Sequence, residues 1–403
     1  MNDWQGRSYD RPDSAAQTLL RHAQAKAEGE APADAGAPSA TSDNPWIDDP
    51  QRDELSDTSP TREMSSMSES AGEILPSAAH LMVQAKSAPR PLATEGWRLG
   101  VRRWSLGLIK PAASKHEMRR LADARDAGLQ LTRPMKVVVA HPKGGVGKTP
   151  LVVMLAAALG MYRGGAVAAW DAHESQGTLG LRTEAGRFAT TTSDLLAVLD
   201  QFEGDKGRRG ELGAFLRHQQ SGSFDVLASA ETSEQLTSLD TDSFTRIQKV
   251  LERYYQVIVV DTGNSMLSPA WTAAMQSADL LVMPMRWSRD HVASAGVMID
   301  RLHAIGRGDL IPRAVTVVSH AAGEYVDQAS APKWREWFRD STGALLEIPF
   351  DPHVAAGEAL RYDRLAPLTQ RALLALAAEV SRHLSVIDSS SISLPTLPEG
   401  HQS

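Results

Sequence analysis

The stretch His141-Pro-Lys-Gly-Gly-Val-Gly-Lys-Thr-Pro150 constrains this chain more than any other. It follows a short apolar run, Lys136–His141, and precedes an apolar helical stretch, Leu151–Met161. Gly144, Gly145 and Gly147 let the backbone turn its N–H groups toward an anion without Cβ interference. Lys148 is then expected on the β- and γ-phosphates of a nucleotide, and Thr149 offers its hydroxyl to Mg²⁺. A helix opening at Pro150 directs its positive end at the same anion. Strand, glycine loop and helix in that order predict a phosphate-binding α/β domain.

Further apolar runs support that reading. Candidate strands are Ala166–Asp171, Asp225–Ala228, Val257–Asp261, Leu280–Pro284, Val315–Ser319 and Leu345–Ile348. Helical patterns follow most of them, at Phe244–Arg253, His291–Ile305 and Leu368–Leu384. Strands that are apolar throughout and alternate with helices predict a doubly wound, mostly parallel sheet with helices on both faces. This domain is assigned to residues 136–387, and the Ser- and Pro-rich residues 388–403 are read as a disordered tail.

Composition divides the rest of the 403 residues. In residues 1–95, Ala, Ser and Pro fill 37 positions while Leu, Ile, Val and Phe fill nine, and 16 acids face eight bases. Such a segment buries too little apolar surface to offset its ordering entropy, so it is expected to be disordered. Residues 96–135 reverse the sign, with nine bases and three acids. Trp97, Val101, Trp104 and Leu108 recur there at helical spacing among Arg98, Arg102, Arg103 and Lys110. That basic amphipathic linker segment either packs its tryptophans on the next domain or meets a membrane or nucleic acid. A second aromatic cluster, Trp334, Trp337 and Phe338 beside Arg335 and Arg339, is read as a core-facing helix face with solvated arginines.

The chain has no cysteine and a net charge of −7. Disulfides, thiolate-held clusters and cysteine nucleophiles are thereby excluded. No run reaches the roughly 20 apolar residues that span a bilayer, and residues 1–13 do not resemble a secretory signal, so a cytoplasmic protein is expected.

The loop departs from the usual Gly-x-x-x-x-Gly-Lys-[Ser/Thr], with Pro142 in the first glycine position and an extra lysine in Lys143-Gly-Gly-Val-Gly-Lys-Thr149. In this it resembles the deviant Walker A ATPases of the ParA/MinD class, and the resemblance covers residues 136–387. It implies that Lys143 reaches across an ATP-sandwiched homodimer to the partner's nucleotide, and that Gly144, Gly145, Val146, Gly147, Lys148, Thr149 and residue 150 cradle it. Val257-Ile-Val-Val-Asp261-Thr-Gly matches the Walker B strand, and Asp171-Ala-His-Glu-Ser-Gln-Gly177 looks like the switch segment. By that resemblance Thr149, Asp171 and Asp261 hold Mg²⁺, while His320, Pro349 and Asp351 border the adenine. The match is also similar to actinobacterial members encoded beside type VII secretion systems.

Three departures bear on chemistry. Pro150 stands where the family has a threonine. Proline suits a first helical turn but has no N–H to give the α-phosphate. Losing one charge-assisted hydrogen bond costs about 1.5–3 kcal/mol, roughly ten- to a hundredfold in affinity. His173 replaces the switch aspartate that orients water, and is read with Lys143 and Lys148 as the catalytic set. His320 replaces an asparagine near the base.

The expectation is an ATP- and Mg²⁺-dependent dimeric ATPase of slow turnover that drives DNA partitioning or intracellular positioning through nonspecific DNA. The alternative is a nucleotide-binding adaptor with little turnover, serving a membrane-linked type VII secretion or conjugation machine.

Overall fold

The computed structural model describes residues 111–391, apart from 174–176, 187–189, 205, 206 and 230–238, together with residues 92, 101, 103–105 and 108. The expectations for residues 1–91, Trp97, Arg98, Arg102, Lys110 and 392–403 lie outside the described residues.

Eight strands form one sheet: β1 (Met135–Val139), β2 (Val167–Ala172), β3 (Arg217–Gln219), β4 (Phe224–Leu227), β5 (Val257–Thr262), β6 (Leu280–Met285), β7 (Val315–Ser319) and β8 (Ala344–Ile348). Their order is β3-β4-β2-β5-β1-β6-β7-β8, and every pair is parallel except β3 with β4. The doubly wound, mostly parallel sheet is therefore present. The short β3 was not anticipated, because Arg217-His-Gln219 shows neither alternation nor an apolar run.

Eight helices of six residues or more accompany the sheet among the described residues: α1 (Lys115–Ala127), α2 (Lys148–Arg163), α3 (Thr192–Ala197), α4 (Thr241–Glu252), α5 (Pro269–Ser277), α6 (Arg289–Ala304), α7 (Ala331–Ser341) and α8 (Pro367–Ser391). One buried cluster gathers α2 and α8 against Val137, Val139, Val259 and Val282 of the sheet. The other gathers α4, α5 and α6 against Val138, Trp170, Ile258 and Val260. Neighbouring residues of one strand thus feed opposite cores, which is why the central strands are apolar except near their ends, where Lys136, Asp171, Asp261 and Thr262 stand.

Helix α2 is the pivot of the fold. Twelve of its residues are buried, from Lys148 to Gly160 with the exception of Pro150. It starts after Gly147, at φ 96°, and stops at Gly164, at φ 73°, whose N–H bonds to Gly160 O. Both conformations favour glycine.

Helix α1 falls in the segment assigned from sequence to a basic linker. A capping box starts it, with Ser114 Oγ accepting from Glu117 N at 3.1 Å. It lies along α8, which continues to Ser391, four residues beyond the boundary expected at 387. Ser381 Oγ donates to Ala127 O at 3.0 Å, and Asp388 accepts from Thr132 N at 2.6 Å and Thr132 Oγ1 at 2.7 Å. Trp104 and Leu108 are 87% and 88% exposed, so these two do not pack on the domain. On α7 the inward face holds Phe338 and, half-buried, Trp334, whereas Trp337 is 48% exposed. Arg335 is not simply solvated: it pairs with Glu347 at 3.1 Å and lies over the Trp287 ring. No helix among the described residues is long and apolar enough to cross a membrane.

Candidate functional site

At the C-terminal ends of β1, β2, β5 and β7 a cavity of about 730 Å³ opens, where ligands of parallel α/β sheets characteristically bind. Its floor is the glycine loop. Gly145 takes φ 77° and Gly147 φ 96°, so the bend needs residues without a Cβ. The loop is braced by His141, fully buried behind it. His141 Nδ1 accepts from Lys143 N at 3.0 Å, and the opposite ring nitrogen faces His291 O at 3.2 Å. Burial pushes this imidazole down to about 4, so it is a neutral brace.

Lys148 is 8% exposed, and its Nζ donates to His141 O at 3.0 Å and to Asn264 Oδ1. Burial lowers its pKa and the charge of Asp261 opposes that shift. Thr149 Oγ1 lies 3.2 Å from Thr178 Oγ1. Gly144, Gly145, Gly147, Lys148, Thr149 and Pro150 line the cavity; Val146 is buried behind the loop.

The two acids meet through strand register. Asp171 and Asp261 are Cα partners on β2 and β5, and Val139 at the end of β1 is the other neighbour of Asp261. Asp261 is fully buried, and neither carboxylate oxygen has a hydrogen-bond partner among the described residues. Burial raises its pKa to about 6, and the nearby Asp171 adds to this while His173, the adjacent Thr149 hydroxyl and Lys148 work against it. A buried carboxylate left in this state is costly unless a cation joins it. Asp171 is already engaged, accepting from Ser229 Oγ at 2.9 Å, Leu179 N at 3.2 Å and His173 Nδ1 at 2.7 Å. Gly177 is required beside it, since an added Cβ would stand 2.1 Å from Asp171 Oδ2.

His173 lines the cavity with its Nδ1 committed to Asp171. Burial alone would lower its pKa, but the Asp171 hydrogen bond and the charges of Asp171 and Asp261 raise it overall. Lys143 points elsewhere. Its Nζ sits 3.2 Å from Asp290 Oδ2 at the start of α6, and the residue is not part of the cavity wall.

The far end of the cavity carries Ser319, His320, Ile348, Pro349, Phe350 and Asp351. The His320 ring lies 3.3 Å from Glu347 and 3.8 Å from Glu324, and the Glu347 hydrogen bond raises its pKa. Asp351 is turned into the protein, where its oxygens accept from His353 N at 2.9 Å and Ala366 N at 2.8 Å. Asp351 therefore shapes the loop by capping Pro352–Ala355.

Asn264, Arg182 and Arg286 also line the cavity and were not singled out from the sequence. Arg182 is tied by Nη2 to Val354 O at 2.8 Å. Asn264 stands three residues after Asp261, which was a usable signal; the two arginines had none. Three cationic side chains around one cleft suit a polyanion, and the unpartnered Asp261 carboxylate with the Thr149 hydroxyl suits a hard, oxygen-seeking cation. The residues present therefore fit a nucleotide with Mg²⁺.

No protein-family model matches the chain. Among curated proteins it is 27% identical over 247 residues to the ESX-1 secretion-associated protein EspI of Mycobacterium tuberculosis, in the sequences of two strains. That match spans 61% of this chain and 36% of the curated relative's length. Among solved structures it is similar to a ParA family ATPase from Chlorobium tepidum, with TM-score 0.45, 16% identity and coverage of 65% of this chain and 99% of that one. It is also similar to the septum site-determining protein MinD of Pyrococcus horikoshii complexed with Mg-ADP, with TM-score 0.49, 19% identity and coverage of 63% and 98%. In its phosphate loop and parallel α/β fold the chain resembles the ParA/MinD-type deviant Walker A P-loop ATPases, and in sequence a mycobacterial secretion-associated protein.

Proposed function

We propose that this chain binds ATP with Mg²⁺ in the cleft above β1, β2 and β5, turns it over slowly, and uses the nucleotide as a switch in service of a secretion or conjugation machine. The observation that carries the nucleotide reading is the convergence of the glycine loop, buried Lys148 and the unpartnered Asp261 carboxylate on one cavity. Lys148 and the loop N–H groups would hold the β- and γ-phosphates, and Thr149, Asp171 and Asp261 would hold Mg²⁺. When bound, Mg²⁺ supplies charge neutralisation between the phosphates. Pro349, Phe350 and His320 would border the base, with Asp351 holding their loop in shape.

Slow turnover follows from the chain's own residues. His173 spends its Nδ1 in a hydrogen bond to Asp171, so the ring offers water a single nitrogen in place of a carboxylate's two oxygens. Pro150 withholds one backbone donor from the α-phosphate. Lys143 is held by Asp290 within one chain, so a sandwich dimer would have to draw it away. The link to secretion rests on the likeness to EspI, of which this chain spans about a third.

The second reading is a partition-type ATPase that loads on DNA, favoured by the extra lysine of the loop. Calorimetry with MgATP should give a saturable signal that Lys148→Ala removes, and no signal in the unaltered chain would refute the nucleotide reading. Steady-state phosphate release then separates the two functions. Release near the Lys148→Ala blank, unmoved by duplex DNA, supports the adaptor. Release that climbs with DNA overturns it in favour of partitioning.

A further inference from the structure

Helix α1 has its acids engaged and leaves cations exposed. All three of its acids are turned toward the protein or engaged there. Glu117 is buried in the capping box, and Asp126 and Asp123 pair with Arg382 of α8 at 2.8 and 3.7 Å. The outward face carries Lys115, Arg119 and Arg125, exposed and without an ion-pair partner among the described residues. Between them stand two large apolar side chains one turn apart, Met118 at 43% and Leu121 at 39% exposure. Trp104 and Leu108, on the segment leading to the helix, are almost fully exposed as well. Helices ordinarily point such residues at the core. Here the core-facing side of α1 is already filled by its contact with α8, and the apolar pair is left over.

We propose that the outward face of α1 is a docking surface for an anionic lipid bilayer. Charge complementarity selects the partner's sign: Lys115, Arg119 and Arg125 are exposed while Asp123 and Asp126 beside them are taken up by Arg382, so the excess charge of this face is positive and is drawn to a negative surface. The apolar pair selects its kind. A phosphodiester backbone gains from cations and gains nothing from a thioether or an isobutyl group. A bilayer takes both, the cations at the headgroups and the apolar chains among the upper acyl carbons. Thirteen residues make a helix about 20 Å long, too short to span a membrane and suited to lying in its interface. Trp104, exposed and eleven residues before the helix in sequence, is of the residue type that settles between headgroup and acyl chain. The face lies outside the nucleotide cleft, so this inference does not depend on the nucleotide reading.

The test is co-sedimentation of the full chain, without nucleotide, on vesicles of equal phosphatidylglycerol and phosphatidylcholine against phosphatidylcholine alone. Binding is expected only to the anionic vesicles and should weaken with salt. Arg119→Glu with Arg125→Glu should lower it by at least about tenfold, and Met118→Ser with Leu121→Ser by several-fold. The positions are exposed, so the melting temperature and MgATP affinity of these variants should not change. Independently of any variant, anionic vesicles should slow amide exchange in residues 115–127 of the unaltered chain. Equal binding to neutral vesicles overturns the proposal, as does binding indifferent to the charge reversal or exchange protection confined to other segments. Loss of duplex-DNA retention in the charge-reversed variant, with vesicle binding intact, would assign the face to nucleic acid instead.

Discussion

Proline at position 150 stands in the first turn of α2, where its fixed φ fits and its missing N–H faces the cavity rather than a helical partner. Its cost therefore falls on the ligand and not on the fold. Pro150→Thr should tighten MgATP binding roughly ten- to a hundredfold, with little change in melting temperature, as calorimetry and thermal unfolding would record. Gly177 presents the opposite case. It donates its N–H to Ser229 Oγ at 3.0 Å, and a Cβ there would stand 2.1 Å from the Asp171 carboxylate and 2.2 Å from Ser229 Oγ. Gly177→Ala should cost about 1–3 kcal/mol of stability and weaken the Mg²⁺ dependence of nucleotide binding together. A stable variant with unaltered Mg²⁺ dependence would show that this loop moves freely, independent of Asp171.

Between elements, the tightest arrangement outside the sheet is the pairing of α1 with α8. Glu379 on α8 accepts from His383 at 3.1 Å and from Arg382, which reaches on to Asp126 of α1. The His383 hydrogen bond, helped by Arg382, holds the Glu379 carboxyl down at about 2, well below its unfolded value of 4.5. A depressed carboxylate stabilises the fold above its unfolded pKa, and that contribution is lost as pH falls toward the folded one. The window runs from about 4.5 down to 2. Glu379→Gln should cost about 1 kcal/mol at neutral pH, after solvent screening of this partly exposed group, and should flatten the acid side of the stability curve. Circular dichroism melts between pH 2 and 7 would show it.

For the molecule as a whole, the buried clusters of the sheet draw on residues from Ala127 to Leu384. A chain that starts at Ala85 should therefore fold, melt within about 2 °C of the full chain and bind MgATP with the same affinity. Differential scanning and titration calorimetry test this, and a large loss of stability would mean that the first 84 residues contribute to the core.

The sequence by itself determined the sheet and the phosphate loop. Seven of eight strands stood out as short, mostly apolar runs, and the central ones are buried on both faces, which demands apolar side chains along most of their length. The loop was equally plain, since backbone at positive φ demands glycine, and Gly145 and Gly147 stand at fixed offsets from Lys148. Helix α1 escaped notice because its exposed side is mixed and its partner, α8, lies some 250 residues away, as the Ala127–Ser381 and Thr132–Asp388 bonds show. Only the tertiary structure decided that Asp171 and Asp261 stand side by side, that His173 is committed to Asp171, that Lys143 is held by Asp290 and that Asp351 caps a turn. Residue type announces what a side chain can do. Which partner it finds depends on strand register and on loops that meet only after folding, and that choice sets each group's charge, its orientation and therefore its chemistry.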